Sequence, residues 1–311
     1  MTCADRSDSV SIMVDLHRVS FLAGCGDITP IHAGFSSDKK YIVKKNETSY
    51  LLRTFAQSNL DEKRREFDVL RLMFDNDVKC SRPIELGLVD ADTAYMLLTF
   101  IEGLDGEHAM PPLSSQRQYE IGIQAGEELK KINAFPAPDN VEPWNVRKQA
   151  KHMRYLNQYL EGDERFHGDE KIIKFIDANL SVMKNRPNLF QHDDYHLRNL
   201  VFNDDGLAGV IDFGRNDWGD PFHEFLKVGQ FNTPISIPFS VGQIKGYFDG
   251  NDPDEIFWSS YSLYAAMSLF SFVVWTKQVC PDQLGNTLQI INRVVLDHNY
   301  FNAIRPSWYV C

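Results

Sequence analysis

The stretch that decides the fold begins at residue 190 and reads Phe190-Gln191-His192-Asp193-Asp194-Tyr195-His196-Leu197-Arg198-Asn199-Leu200-Val201-Phe202; after a turn at Asn203–Gly206 it ends Ile211-Asp212-Phe213-Gly214. The order is His-x-Asp-x-x-x-x-Asn, then Asp-Phe-Gly. Two short strands, 199–202 and 209–211, should pair as a ribbon, which brings Asn199 and Asp212 to one edge with Asp194 on the loop before them. In the bland alternative Asp194 and Asn199 merely cap turns and Asp212 opens a loop. One mechanism demands all three residues together, and that favours the functional reading.

That order resembles the catalytic signature of the protein-kinase-like fold, which implies phosphoryl transfer, a reaction that asks a protein for positioning and charge neutralisation more than for covalent chemistry. A carboxylate must stand where an acceptor hydroxyl attacks in line, and Asp194 is placed for that. Magnesium prefers hard oxygen ligands, and Asn199 and Asp212 offer an amide oxygen and a carboxylate.

Working outward, the first third of the chain carries strand signals. Residues 40–45 and 49–54 flank Asn46-Glu47-Thr48 as a hairpin, and further strands are expected near 84–89 and 94–100. Phe67, Leu70 and Phe74 recur at helical spacing, which predicts a helix over about 60–75, with Ser58 and Asp61 as a capping-type start. After a linker at Glu102-Gly103 and Asp105-Gly106 the pattern turns helical, over about 114–134, 145–161 and 168–184, and again from about Phe239. A strand-rich lobe (1–103) followed by a helix-rich lobe (104–311) is an α+β arrangement.

The catalytic segment resembles the aminoglycoside phosphotransferase family, whose loop typically reads His-Gly-Asp-x-His-x-x-Asn within a two-lobed protein-kinase-like fold. Here His196 stands where protein kinases keep a lysine, and Asp193 stands where that family usually has glycine. Trp218-Gly219-Asp220-Pro221-Phe222-His223-Glu224 is similar to the family's Gly-Asp-Pro element, which implies that Asp220 braces the catalytic loop. The resemblance implies Asp194 and His196 as catalytic residues, Asn199 and Asp212 as magnesium ligands, and ATP or GTP as the donor. Gly34 and Ser36 would lie in the phosphate-positioning loop. Arg53 would take the place of the strand-borne lysine, with Glu66 as its partner on the following helix. The backbone at Thr99 and Ile101 would hydrogen-bond the purine. The terminal Pro306-Ser307-Trp308-Tyr309 is also similar to bacterial members.

The acceptor would be a small molecule on the helical lobe. Asp217, Asp220, Glu224, Asp252, Asp254 and Glu255 are candidates to meet a cationic sugar, with Trp258 and Tyr261 beside them. Trp258, Tyr261, Ala265 and Ser268 also form one helical stripe, which more often packs a core. Besides an aminoglycoside kinase with a role in antibiotic resistance, the readings left open are a metabolic kinase for choline, a sugar, homoserine or a fructosamine, and a nucleotide-binding module with little activity. About ten residues between Asp212 and Glu224 leave no room for a protein kinase's activation segment. A net charge of -11 over 311 residues argues against a nucleic-acid partner. The polar start, the absence of an eighteen-residue apolar run, and five scattered cysteines (3, 25, 80, 280 and 311) point to a cytoplasmic protein with no membrane partner and reduced thiols. Oligomeric state is not legible.

Overall fold

A computed structural model describes residues 16–32 and 37–310, so Gly34 and Ser36 lie outside the described residues. The chain divides into two compact units between Ile101 and Glu102.

In the first unit β1 (Ile28–Ile31), β2 (Lys39–Lys45), β3 (Thr48–Ala56), β4 (Pro83–Leu88) and β5 (Thr93–Thr99) form one antiparallel sheet in the order β1-β2-β3-β5-β4. The β2–β3 turn is Asn46-Glu47 with φ of 48° and 63°; a two-residue hairpin loop with both φ positive matches strand twist. Val43, Leu52, Tyr95 and Leu97 join Val19, Leu22 and Val89 in a core. Helix α1 (Leu60–Asp75) buries Lys63, Glu66, Phe67, Leu70 and Met73, the i, i+3, i+4 stripe of an amphipathic helix. Ser58 does not cap it. Residues 57–59 form a 3-10 turn that runs straight into the helix, and the N-cap position falls on Asn59 without a side-chain bond. Such a turn satisfies the first N–H groups by i→i+3 bonding.

The second unit contains α2 (Gly106–Ala109), α3 (Ser115–Ile132), α4 (Trp144–Glu161), α5 (Asp169–Asn179), α6 (Ile237–Tyr247), α7 (Glu255–Val279) and α8 (Leu284–Asp297). Oxygen side chains cap several of them: Ser114 accepts from Arg117 N–H, Ser236 from Phe239 N–H and Asp254 from Phe257 N–H. Helix α7 is apolar enough to cross a membrane by composition, yet 78% of its most apolar window is buried within the protein. It is the core helix, with Tyr264, Leu269 and Phe270 packed against residues of α4, α5 and α8. Helices α3 and α6 touch backbone to backbone. A Cβ on Gly126 would lie 2.1 Å from Gln243 O, and one on Gly246 2.1 Å from Ile123 O, so only glycine permits this approach.

Five short strands frame the catalytic segment: β6 (Leu104–Asp105), β7 (Leu189–Gln191), β8 (Leu200–Asn203), β9 (Gly206–Val210) and β10 (Asp217–Gly219). Strand β8 pairs with β6 and β9, and β7 pairs with β10. The expected ribbon is the β8–β9 pair.

Candidate active site

The β8–β9 register matches Leu200 with Val210, and Ile211 N–H donates to Asn199 O at 3.0 Å, so Asn199 and Asp212 stand on neighbouring strand ends. Asn199 Nδ2 donates to Asp194 O at 2.9 Å and to Asp194 Oδ2 at 3.3 Å. That leaves the Asn199 amide oxygen without a described protein donor. Asp212 is exposed, with φ at 65°, and no described side chain forms a hydrogen bond or ion pair with its carboxylate.

Asp194 is held from several sides. Lys227 Nζ lies 2.9 Å from Oδ1, His196 Nε2 3.3 Å from Oδ1, and Arg215 Nη1 3.8 Å from Oδ2. His196 Nδ1 accepts from Arg198 N–H at 3.3 Å, which leaves the proton on Nε2 to donate to Asp194 even in a neutral ring. Burial alone would raise the Asp194 carboxyl, but the His196 hydrogen bond and the Lys227 ammonium hold it far below the usual carboxylate range. Lys227, from the segment between Phe225 and the π-turn Val228–Asn232, and Arg215 were not anticipated. No local pattern marks either residue, because their role comes from the tertiary approach of separate elements.

The loop itself is tied down by hydrogen bonds to several elements. Tyr195 OH donates to Ala125 O on α3 at 2.7 Å, and Leu197 N–H donates to Asn232 Oδ1 at 3.0 Å. His192 Nδ1 accepts from Asp194 N–H at 3.2 Å, so its Nε2 carries the proton donated to Ile211 O at 2.9 Å. Burial pushes His192 down to about 4, as it does His152 and His298. A histidine kept neutral by folding contributes stability that is complete above its unfolded value near 6.5 and is lost as pH falls through the folded value. Urea unfolding at pH 6.5, 5.5 and 4.5 should therefore show stability falling, by at most about 1.4 kcal/mol per pH unit for each such histidine. Glu224 works in the opposite direction. Its folded value of about 8 exceeds the unfolded 4.5, so its contribution rises as pH falls across that window and makes the net slope shallower. A His152→Leu variant whose stability falls as steeply as the wild type's would be inconsistent with this account, because that variant should lose one histidine's share of the slope.

Asp193 has φ at 59°, the left-handed region that favours glycine and that Asp and Asn tolerate best. This explains how an aspartate can occupy a position where the family usually has glycine. Its carboxylate turns to His223, with Oδ1 3.4 Å from Nδ1, and His223 Nε2 lies 2.6 Å from Lys148 Nζ. Burial raises Asp193 against the pull of Lys227, Lys151 and Lys148, and burial lowers Lys148 to about 7.

The brace on this loop is Glu224, not Asp220. Glu224 Oε1 accepts from His192 N–H at 2.5 Å and Oε2 from Asp193 N–H at 3.0 Å. Asp220, fully buried, instead pairs with Arg186 at 2.6 and 2.8 Å and accepts from Tyr264 OH at 2.8 Å. Its reach to the loop is indirect, through Gln191 Nε2 on its carbonyl.

In the first unit Arg53 on β3 and Glu66 on α1 form the expected pair, through Arg53 Nη1 and Glu66 Oε1, with a second contact of 3.4 Å from Nη2 to Oε2. Thr99 N–H donates to Arg82 O at 2.9 Å, and Arg82 N–H donates to Thr99 Oγ1 at 2.8 Å. The Ile101 N–H has no described hydrogen-bond partner.

Residues 27–259 match the model of the phosphotransferase enzyme family. The chain belongs to that family. No curated protein matches the sequence. Among solved structures, this phosphotransferase is similar to aminoglycoside phosphotransferase APH(4)-Ia in ternary complex with ADP and hygromycin B (13% identity, TM-score 0.67, 91% of this chain and 98% of that one). It is also similar to APH(2")-IIIa with GDP and kanamycin (17%, 0.66, 90% and 99%) and to ADP-bound APH(2'')-Ib (16%, 0.63, 90% and 99%). At these identities the likeness establishes the two-lobed, kinase-like fold.

The carboxylates nominated for a cationic acceptor are largely engaged elsewhere in this phosphotransferase. Asp217 pairs with Arg147 at 3.0 Å, and Asp252 with Lys245 at 2.8 Å and Tyr309 OH at 2.9 Å. Asp254 caps α7, and Asp220 and Glu224 are bonded as above. Only Glu255, exposed in the first turn of α7, has no described partner. Trp258 and Tyr261 are 2% and 1% exposed. The core reading of that stripe holds, because Trp258 packs on Tyr309 and Tyr261 on Trp308, with Phe257 stacked on Tyr261 within α7 itself.

Proposed function

We propose that this phosphotransferase moves the terminal phosphate of ATP or GTP to a hydroxyl of a small polar acceptor. The observation that carries the reading is the bonding of Asp194, Asn199 and the β8–β9 ribbon into one unit beside Asp212. Asp194 Oδ accepts the hydrogen bond of the attacking hydroxyl and receives its proton as the new O–P bond forms. A carboxylate held so far below its usual range is a weak base. It orients the hydroxyl more than it deprotonates it, which suits a loose transition state with late proton transfer.

Asn199 Oδ1 and the unpaired Asp212 carboxylate fit magnesium, which takes one or two protein oxygens and completes its shell with phosphate and water. Among the described residues no group of three His, Cys, Asp or Glu side chains could hold a metal alone. Bound with the nucleotide, magnesium neutralises charge on the phosphate oxygens. Arg53, oriented by Glu66, contacts the triphosphate, Gly34 and Ser36 are further candidates to meet the phosphates, and the backbone of Thr99 and Ile101 takes the purine. In this reading residues 1–103 handle the nucleotide and 104–311 the acceptor, in the cytoplasm. ADP, GDP, kanamycin and hygromycin B in the solved relatives support nucleotide use and a polyhydroxylated acceptor.

A metabolic kinase is the second reading. The pairing of Asp217, Asp220, Asp252 and Asp254 favours it, because few free carboxylates remain for a polycation, while Lys227 and Arg215 flank Asp194. Magnesium-dependent release of ADP or GDP, assayed with kanamycin, hygromycin B, choline, homoserine and small sugars, separates the two. Turnover with one class that disappears in Asp194→Ala supports the mechanism and names the acceptor. Nucleotide binding without turnover on any acceptor would shift the reading to a nucleotide-binding module.

A further inference from the structure

The densest buried charge cluster in the first unit includes two residues that no reading of the motifs assigned. Asp38, just before β2, presents one oxygen, Oδ2, to Arg53 Nε at 3.1 Å, to Arg53 Nη2 at 2.6 Å and to Lys63 Nζ at 2.9 Å. Lys63 also lies 3.4 Å from Glu66 Oε2, and its ammonium sits 5.8 Å above the Phe55 ring. The four side chains are between 2% and 11% exposed. Two cations and two carboxylates neutralise one another, as buried charges must.

The two carboxylates are not equivalent. Glu66 sits within α1, on the face that α1 buries, and takes the Nη1 edge of Arg53. Asp38 lies outside any strand or helix and takes the Nε–Nη2 edge. That edge is the fork with which arginine grips phosphate. Three cationic donors converging on one anionic oxygen is also the geometry in which a phosphate oxygen is held.

We propose that Arg53 and Lys63 together form the phosphate-binding pair for the nucleotide, and that the Asp38 carboxylate occupies this pair as a displaceable surrogate when no nucleotide is bound. The proposal rests on the reading of Arg53 as the triphosphate contact. It adds Lys63 as a second phosphate ligand and makes Asp38 an internal competitor that sets nucleotide affinity. Replacing one carboxylate charge by the larger charge of a polyphosphate strengthens the same donor set, so exchange is favourable. Lys63 and Arg53 keep Asp38 ionised against the effect of its burial, so the competitor stays charged at neutral pH.

The test is binding of a fluorescent ADP or ATP analogue, with magnesium, to the full chain and to Asp38→Asn, Lys63→Met and Lys63→Arg. An internal competitor that fills the site nine-tenths of the time weakens apparent affinity about tenfold. Asp38→Asn, which keeps the side-chain shape, should therefore bind about tenfold tighter. Lys63→Met should bind more weakly, and Lys63→Arg should recover most of the loss. Inorganic tripolyphosphate should raise the melting temperature of the wild type and of Asp38→Asn, with little effect on Lys63→Met. If folded Asp38→Asn binds nucleotide no better than wild type, or Lys63→Met binds as well as wild type, the surrogate assignment is wrong. If Asp38→Asn does not fold, the tripolyphosphate shift of wild type against Lys63→Met decides alone. A wild type that binds no nucleotide at all would instead overturn the phosphotransfer reading on which the proposal stands.

Discussion

Asp194→Asn should lower kcat by about 10²–10⁴-fold, the usual worth of a positioned acid–base group, while nucleotide affinity holds. Asparagine is the informative replacement because it keeps an oxygen for the Asn199 Nδ2 bond, and so keeps the loop geometry. What it loses is the negative charge that Lys227 and His196 now hold in place, and with it the site that receives the hydroxyl proton. The loss should fall on kcat, because in the proposed mechanism the carboxylate acts on the acceptor hydroxyl and not on the nucleotide. Steady-state kinetics with the acceptor identified by the panel, paired with an independent nucleotide Kd, separate the two parameters. Wild-type turnover in Asp194→Asn would sink the mechanism, and an equal loss of nucleotide affinity would place Asp194 among the phosphate contacts instead.

The regular elements were legible in the sequence because local patterns carry them. The β2–β3 hairpin, β4, β5, α1, α3, α4 and α5 lie within a few residues of where periodicity and turn residues place them. The helical tail expected from about Phe239 instead divides into α6, α7 and α8, and the four-residue α2 begins in the stretch read as a linker. Strand β1 was not anticipated, since its burial pattern is mostly exposed and Pro30 interrupts it. The three-residue strands β7 and β10 are too short to show alternation, yet their pairing brackets the catalytic segment. Within the candidate site, Asp194, Asn199 and Asp212 could be nominated because one reaction would demand them in a fixed local order, and His196 only through the resemblance of the segment to a known family. Lys227, Lys63 and Asp38 were not, because each acquires its role only when separate elements pack. The exchange of roles between Asp220 and Glu224 has the same origin: both lie in one short motif, and only the direction of each side chain shows which carboxylate faces the loop.

That distinction makes Arg186→Met the second large effect expected. Asp220 is fully buried, and its charge is balanced by the bidentate Arg186 guanidinium, 2.6 and 2.8 Å away, which also stacks 4.2 Å over Phe222. Removing one partner of a buried pair leaves an uncompensated charge and costs about 3–5 kcal/mol. Tyr264 OH and Phe222 N–H still donate to Asp220, so the lower end of that range is expected. Urea unfolding should show a lower midpoint with an unchanged m-value. Lys in place of Arg186 should recover part of the loss, since it restores charge without the fork. Removing both charges, in Arg186→Met with Asp220→Asn, should cost less than the two single changes summed, because no lone buried ion remains. Folded Arg186→Met should nonetheless keep most of its kcat, because the N–H groups of His192 and Asp193 are bound by Glu224 and not by Asp220. A collapse of kcat in a variant whose stability is unchanged would reverse this assignment and return the brace to Asp220.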